Sequence, residues 1–211
     1  MEGMVPVAPG RRVLVRRAML LEAAIISYNL IEGVLSVAAG LIAGSVVLVG
    51  FGLDSAIEVS AALVVLWHLS RSGEEQQPVW EGRVARLVGA TLLLVAAYVA
   101  VRALYALATE SKPEESYLGI GITAASLVIM PVVSRLQAGY ARRINSAALL
   151  ADSRETLVCT YLSAATLLGL AANAALGWWW ADPLAGLALV YFVSREGWEI
   201  FSKGELICVD D

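Results

Sequence analysis

Long apolar segments alternate with short polar ones along the whole chain. A helix needs about 20 mostly apolar residues to cross a lipid bilayer. Six segments meet that requirement: 18–42, 46–69, 84–107, 117–136, 146–174 and 183–202. Two of the polar linkers, RSGEEQQPVWEG and ATESKPEES, contain a proline, which favours the end of a helix. The pattern predicts an all-α membrane protein with six transmembrane helices.

Composition agrees with a chain that lies mostly in lipid. Hydrophobic residues make up 59% of the 211, and mean hydropathy is +0.73. Charged residues make up 16%, whereas soluble domains carry about 25%. The six spans leave no room for a soluble catalytic domain. We predict a basic cytoplasmic N-terminus at 1–17, a six-helix transmembrane domain at 18–203 and a short cytoplasmic tail at 204–211.

Basic residues alternate between the two sides of the predicted domain. One side contains Arg11, Arg12, Arg16, Arg17, Arg71, Arg83, Arg86, Arg135, Arg142, Arg143, Arg195 and Lys203, whereas the loops on the other side contain only Lys112. The positive-inside rule therefore predicts that both termini are cytoplasmic. Trp178, Trp179 and Trp180 would lie at the outer interface. We expect the plasma or inner membrane of a prokaryote, with lipid as a partner and no nucleic-acid partner.

Three of the apolar spans contain polar side chains at one depth. An ionisable group at the bilayer centre costs about 2.5–3.5 kcal/mol, so each should face a partner or a water-filled cavity. At about 1.5 Å of rise per residue, all three sets lie near mid-depth. The sets are Asn29 with Glu32, Asp54 with Glu58, and Asp152 with Glu155 and Cys159. Their spacings place each set on one helical face.

Together the three stripes predict one buried polar site with five carboxylates and one thiol. Arg154 and Arg102 are basic residues that lie inside spans, and we expect them to oppose these carboxylates. Several anions close together in a low dielectric repel one another strongly. A divalent cation or bound protons would relieve that repulsion. We therefore interpret the stripes as a cation site.

Other interpretations of single residues remain open at this point. Glu32 with Asn29 is also typical of a helix–helix hydrogen bond, and Cys159 of a small core residue. Asp152 is either a ligand or the partner of Arg154. His68 is interpreted as an interface residue. The glycines at 50 and 52 favour close helix packing over phosphate binding.

Three stretches of sequence resemble one family of transporters, the cation diffusion facilitator (CDF) or cation efflux family. GSVVLVGFGLDSAIEV resembles the second transmembrane helix of that family, with two metal ligands four residues apart. NSAALLADSRETLVCTYLSAATLLGL resembles the fifth helix, with a second such pair. GWWWADPLAGLALVYFVSREGWEIF resembles the sixth, which opens on Gly-Trp-x-x-x-Asp-Pro. The resemblance covers most of the chain.

The resemblance implies six helices, a homodimer and export of a divalent metal in exchange for protons. Carried over by position, it implies that Asp54, Glu58, Glu155 and Cys159 are the metal ligands. Asn29, Glu32 and Asp152 remain candidates for metal binding or proton coupling. Two departures stand out. The usual His-x-x-x-Asp pairs are replaced by Asp-x-x-x-Glu and Glu-x-x-x-Cys, and the chain ends at Asp211, so we expect a short branch without the C-terminal cytoplasmic domain.

The predicted function is a proton-coupled efflux transporter of a divalent metal cation, because metal must displace the protons of its ligands. Carboxylates suit Mn²⁺, whereas a thiolate favours softer metals. We expect Zn²⁺ as the transported substrate, with Co²⁺, Cd²⁺, Fe²⁺ and Mn²⁺ as further candidates. The alternative is a non-transporting membrane subunit for metal binding or assembly. An enzyme is not expected, because the chain lacks the common hydrolase motifs and His68 is its one histidine.

Overall fold

A computed structural model describes residues 9–70 and 79–203. Within those ranges the backbone forms six helices. They are α1 (Pro9–Ala43), α2 (Val46–Ser70), α3 (Val79–Ala108), α4 (Tyr117–Ile144), α5 (Ala147–Leu176) and α6 (Ala181–Lys203). Each predicted span coincides with one of these helices. The predicted tail at 204–211, the first part of the predicted N-terminal segment at 1–17, and Arg71 lie outside the described residues.

Four of the helices are long and apolar enough to cross a membrane by themselves: α1, α2, α4 and α5. In α3 the apolar part is shorter and covers Leu93–Ala108. The first helix has 35 residues, which corresponds to about 50 Å of length against a hydrocarbon core of about 30 Å. Its first turns, which carry Arg11, Arg12, Arg16 and Arg17, therefore have room to extend beyond the lipid tails.

Short connections hold successive helices antiparallel. Asn145 ends α4 in the left-handed conformation (φ 55°), and Ser146 begins α5 by accepting a hydrogen bond from Leu149 N. Gly177 caps the C-terminus of α5 in the same left-handed conformation (φ 64°), which a glycine adopts without steric cost. We call the end where α1, α3 and α5 begin the basic end, and the end that carries Trp178–Trp180 the tryptophan end.

The helices pack as three close pairs, α1 with α2, α3 with α6 and α4 with α5, and α2 lies at the centre against four neighbours. Glycines allow the closest approach. A Cβ on Gly52 would lie 2.9 Å from Gly33 O and 2.8 Å from Val37 N, and one on Gly50 would lie 3.1 Å from Leu189 Cδ2. The prediction that Gly50 and Gly52 serve helix packing is therefore confirmed.

Four helices, α1, α2, α4 and α5, turn polar side chains toward the inside of the bundle. Large apolar side chains such as Leu30, Ile31, Leu118 and Leu168 point outward and are exposed. The buried polar set includes Glu22, Asn29, Glu32, Ser36, Asp54, Ser55, Thr123, Ser126, Ser134, Gln137, Asp152, Ser153, Thr156, Ser163 and Thr166. This arrangement suits a lipid environment, where each buried polar group needs a partner inside the protein.

Candidate metal centre

A small cavity lies between α2 and α5. It is lined by Asp54, Ile57, Glu58, Glu155, Val158, Cys159 and Leu162. Its volume of about 10 Å³ is close to the space that one water molecule needs. All four residues predicted as metal ligands therefore surround one cavity. Each helix contributes two of them, one turn apart on the same face.

Glu58 is the most distinctive group in this cavity. Both of its carboxylate oxygens are buried, and neither accepts a hydrogen bond from a nitrogen or oxygen donor among the described residues. Asp54 and Cys159 beside it are 5% and 3% exposed. Burying a carboxylate without a compensating partner is costly. A proton or a metal cation at Glu58 would remove that cost.

The four side chains do not converge on a single point in this conformation. Among the described residues, no group of three or more His, Cys, Asp or Glu side chains is close enough to hold a metal ion. Metal ligation requires oxygen atoms at about 2.0–2.2 Å and sulfur at about 2.3 Å from Zn²⁺. A metal in this cavity therefore requires the side chains to turn inward.

Glu32 lies outside the cavity and joins three helices. Its Oε2 accepts a hydrogen bond from Ser55 Oγ on α2 at 3.1 Å, and its Oε1 accepts one from Tyr28 Oη at 3.1 Å and one from Ser126 Oγ on α4. This geometry matches the helix–helix hydrogen bond that the sequence left open. Asn29, one turn earlier, is 1% exposed, and neither of its side-chain polar atoms has a partner among the described residues.

Asp152 also lies outside the cavity lining, toward the basic end. Its Oδ2 accepts a hydrogen bond from Gln137 Nε2, and the same nitrogen donates to Glu22 Oε1 at 3.2 Å. Asp152 therefore lies with Glu22 and Gln137, two residues that the sequence analysis did not single out. The sequence contained one indication that Glu22 belongs with the inward-facing residues: it precedes Asn29 by seven positions and so lies on the same face of α1.

The prediction that Arg154 and Arg102 oppose the carboxylates is wrong. Arg154 is exposed on the outside of α5. It follows Asp152 by two positions, which places it about 200° around the helix from that residue. Arg102 is exposed near the tryptophan end, beside a separate pocket that Ser45 and Tyr98 also line.

A family model that describes the cation efflux transmembrane domain matches residues 23–206. The chain belongs to the cation efflux family. The predicted family and the all-α membrane fold are thereby confirmed. An uncharacterized transporter of Synechocystis sp. is 26% identical over 163 residues, which cover 74% of this chain and 53% of that protein. The chain thus spans about half the length of this curated relative.

One residue of this cation efflux domain ties its last helix to its second. Asp182, from the Gly-Trp-x-x-x-Asp-Pro stretch, accepts hydrogen bonds from Ser45 Oγ, from Val46 N at 2.9 Å and from Val47 N at 3.4 Å. The carboxylate therefore satisfies the free N–H groups at the start of α2 and interacts favourably with its dipole. The start of α6 thereby fixes the position of the helix that carries Asp54 and Glu58.

Proposed function

We propose that this chain transports a divalent metal cation across the membrane, and that the cavity between α2 and α5 is its metal site. The observation that carries the proposal is Glu58, a buried carboxylate that accepts no hydrogen bond from a nitrogen or oxygen donor among the described residues, in a cavity that Asp54, Glu155 and Cys159 also line. Four side chains that ligate metals face one space inside an apolar bundle. Membership of the cation efflux family supports transport as the use of that site.

We propose export as the direction by resemblance to the family, and the chemistry of these ligands supports exchange of the metal for protons. Carboxylates and thiolates bind metal only when deprotonated, so metal binding releases protons. In a dry cavity the same groups hold protons when no metal is present, because burial disfavours their charged forms. The two occupants therefore exclude each other. A bundle that opens to one side and then to the other would exchange metal for protons.

The ligand set favours a zinc-like metal. It combines three carboxylates with one thiol and contains no histidine. A thiolate selects softer cations, whereas carboxylates accept harder ones. We propose Zn²⁺ as the main substrate, with Co²⁺ and Cd²⁺ next, and Fe²⁺ and Mn²⁺ as weaker candidates. By resemblance to the family we also propose a homodimer in the plasma or inner membrane of a prokaryote.

The decisive experiment measures Zn²⁺-driven proton flux in proteoliposomes that contain the purified full chain. Asp54→Ala and Glu155→Ala should each reduce the flux by at least about tenfold, since even residues that support a metal ligand are worth 10–100-fold. Glu114→Ala serves as the matched control, because Glu114 is an exposed acid on the α3–α4 connection. Wild-type flux in both cavity variants would refute this site.

The alternative is a membrane subunit that binds metal or assembles with others without transport. One observation favours this alternative. The buried acid Glu32 accepts hydrogen bonds from Ser55 on α2 and Ser126 on α4, so a buried acid in this bundle can serve to hold helices together. Tight Zn²⁺ binding by the wild-type chain, together with no Zn²⁺ or proton flux in the same vesicles, would favour this alternative over transport.

A further inference from the structure

A second polar cluster lies inside the bundle, outside the metal cavity. It consists of Glu22 on α1, Gln137 on α4 and Asp152 on α5. Gln137 Nε2 donates one hydrogen bond to Glu22 Oε1 at 3.2 Å and another to Asp152 Oδ2. Glu22 and Gln137 are 0% exposed, and Asp152 is 4% exposed. One amide nitrogen thus holds two fully buried acids side by side.

Because Glu22 Oε1 and Asp152 Oδ2 both contact the same nitrogen, the two carboxyl groups lie close together. A carboxylate has only acceptor atoms, so a proton on one of the two acids would give the pair a donor of its own. Two deprotonated acids at this separation would repel strongly in a low dielectric. The geometry therefore fits a pair that holds one proton.

Among the described residues of the four helices, no basic side chain is buried beside Glu22 and Asp152 to balance their charge. The described arginine and histidine side chains of α1, α2, α4 and α5 are all exposed: Arg11, Arg12, Arg16, Arg17, His68, Arg135, Arg142, Arg143 and Arg154. The described parts of these helices also turn four further acids inward, Glu32, Asp54, Glu58 and Glu155, and all of them have the same sign as the pair.

Buried acceptor atoms at this cluster still lack donors. Glu22 Oε2 and Gln137 Oε1 are buried, and neither has a hydrogen-bond partner among the described residues. Both atoms accept hydrogen bonds, so they fit a water molecule or a protonated water that donates to them. Asn29 lies about 10 Å further along α1, and its buried amide also lacks a partner in the described part of the chain. Buried polar atoms without a partner among the described residues therefore occur both at this cluster and at Asn29, which lies nearer to the bilayer depth of the metal cavity.

We propose that Glu22, Gln137 and Asp152 form a proton-binding site, distinct from the metal cavity, that takes up and releases one proton at the basic end of the bundle. The proton moves between a carboxylate oxygen of the pair and water, so the only bond made or broken is O–H. Gln137 holds the two acids in place by donating to both. The inference rests on the proposed transport, in which a proton must reach the cavity when the metal leaves.

Infrared spectroscopy of the purified full chain tests this site, because a protonated carboxyl group has its own C=O stretching band. Saturation with Zn²⁺ keeps the proposed cavity ligands deprotonated. We expect one protonated-carboxyl band in the Zn²⁺-saturated wild-type chain, which disappears as pH rises. Glu22→Gln and Asp152→Asn should each remove it, since the remaining acid no longer shares a proton. Glu32→Gln and Glu114→Gln should leave the band in place.

In proteoliposomes, Glu22→Gln should also flatten the pH dependence of Zn²⁺ flux while Zn²⁺ still binds. Should neither acid variant fold, Gln137→Met supplies the answer, because loss of its N–H donor must shift the band. Absence of the band in the wild type, its survival in both acid variants, or an unshifted band in Gln137→Met overturns the proton site. Absence of any Zn²⁺ flux in the wild type overturns the proposed transport instead.

Discussion

Asp182 shows how one side chain positions a functional helix. Its carboxylate accepts hydrogen bonds from the Ser45 hydroxyl and from the first N–H groups of α2. Asp182→Ala leaves these buried donors unsatisfied, which costs about 1–3 kcal/mol. We expect a lower Tm in detergent for this variant and a smaller loss for Asp182→Asn, which keeps one acceptor. Glu115→Ala, at an exposed site, should leave Tm unchanged; an equal loss there would contradict this role.

In the proposed metal site, Cys159 decides the metal preference. Its sulfur is the one soft donor among the four candidate ligands that line the cavity, and the other three are carboxylates. Cys159→Ser should raise the Kd for Cd²⁺ by about tenfold or more and leave that for Mn²⁺ nearly unchanged, because sulfur favours the softer cation. Titration calorimetry of both metals measures the difference. An equal loss of affinity for the two metals would show that the sulfur is not a ligand.

At the scale of elements, the contact between α1 and α2 depends on two glycines. A methyl group on Gly52 would lie 2.8 Å from the backbone nitrogen of Val37 and 2.9 Å from the carbonyl oxygen of Gly33. Backbone atoms of a packed helix cannot move aside singly, so Gly52→Ala must push the two helices apart. We expect a loss of about 1–3 kcal/mol, measured as a lower Tm.

Gly121 on α4 provides the matched comparison for this prediction. Apart from the backbone of its own helix and its two chain neighbours, a Cβ added there has no atom within 4 Å. Gly121→Ala should leave stability unchanged or raise it by up to about 1 kcal/mol, because alanine has the higher helix propensity. A similar loss of Tm in both variants would mean that the close contact at Gly52 is not the cause.

At the scale of the whole molecule, the distribution of charge predicts the orientation in the membrane. Two exposed residues mark opposite ends of the bundle: Arg142 in the last turn of α4 and Glu110 in the connection between α3 and α4. In a background with Cys159→Ser and Cys208→Ser, a membrane-impermeant maleimide should label Glu110→Cys in intact cells. It should label Arg142→Cys only after the membrane is opened, since the positive-inside rule places that end in the cytoplasm. The reverse labelling pattern would overturn the predicted topology.

The helices and the shared faces of the candidate ligands could be predicted from the sequence, whereas the predicted partners of several side chains were wrong for one common reason. Hydropathy predicted all six helices, and helical spacing predicted that Asp54 with Glu58, and Glu155 with Cys159, share a face. Depth counting placed Glu32 and Asp152 in the same site, but the structure gives each its own hydrogen-bond partners. The prediction that Arg154 points inward rested on its position within the fifth span, at the depth of the acids. Adjacent residues on a helix point about 100° apart, and depth alone carries no information about direction.

The six membrane helices could be predicted from the amino-acid sequence, because span length and apolar content are local properties, and the resemblance of three stretches indicated the cation efflux family. Only the tertiary structure decided how the buried acids divide between the cavity at Glu58, the hydroxyl cluster at Glu32 and the pair formed by Glu22 and Asp152. That division depends on which helix faces which and at what rotation. Contacts such as Gln137 with Glu22 join residues more than a hundred positions apart, and no local pattern encodes them.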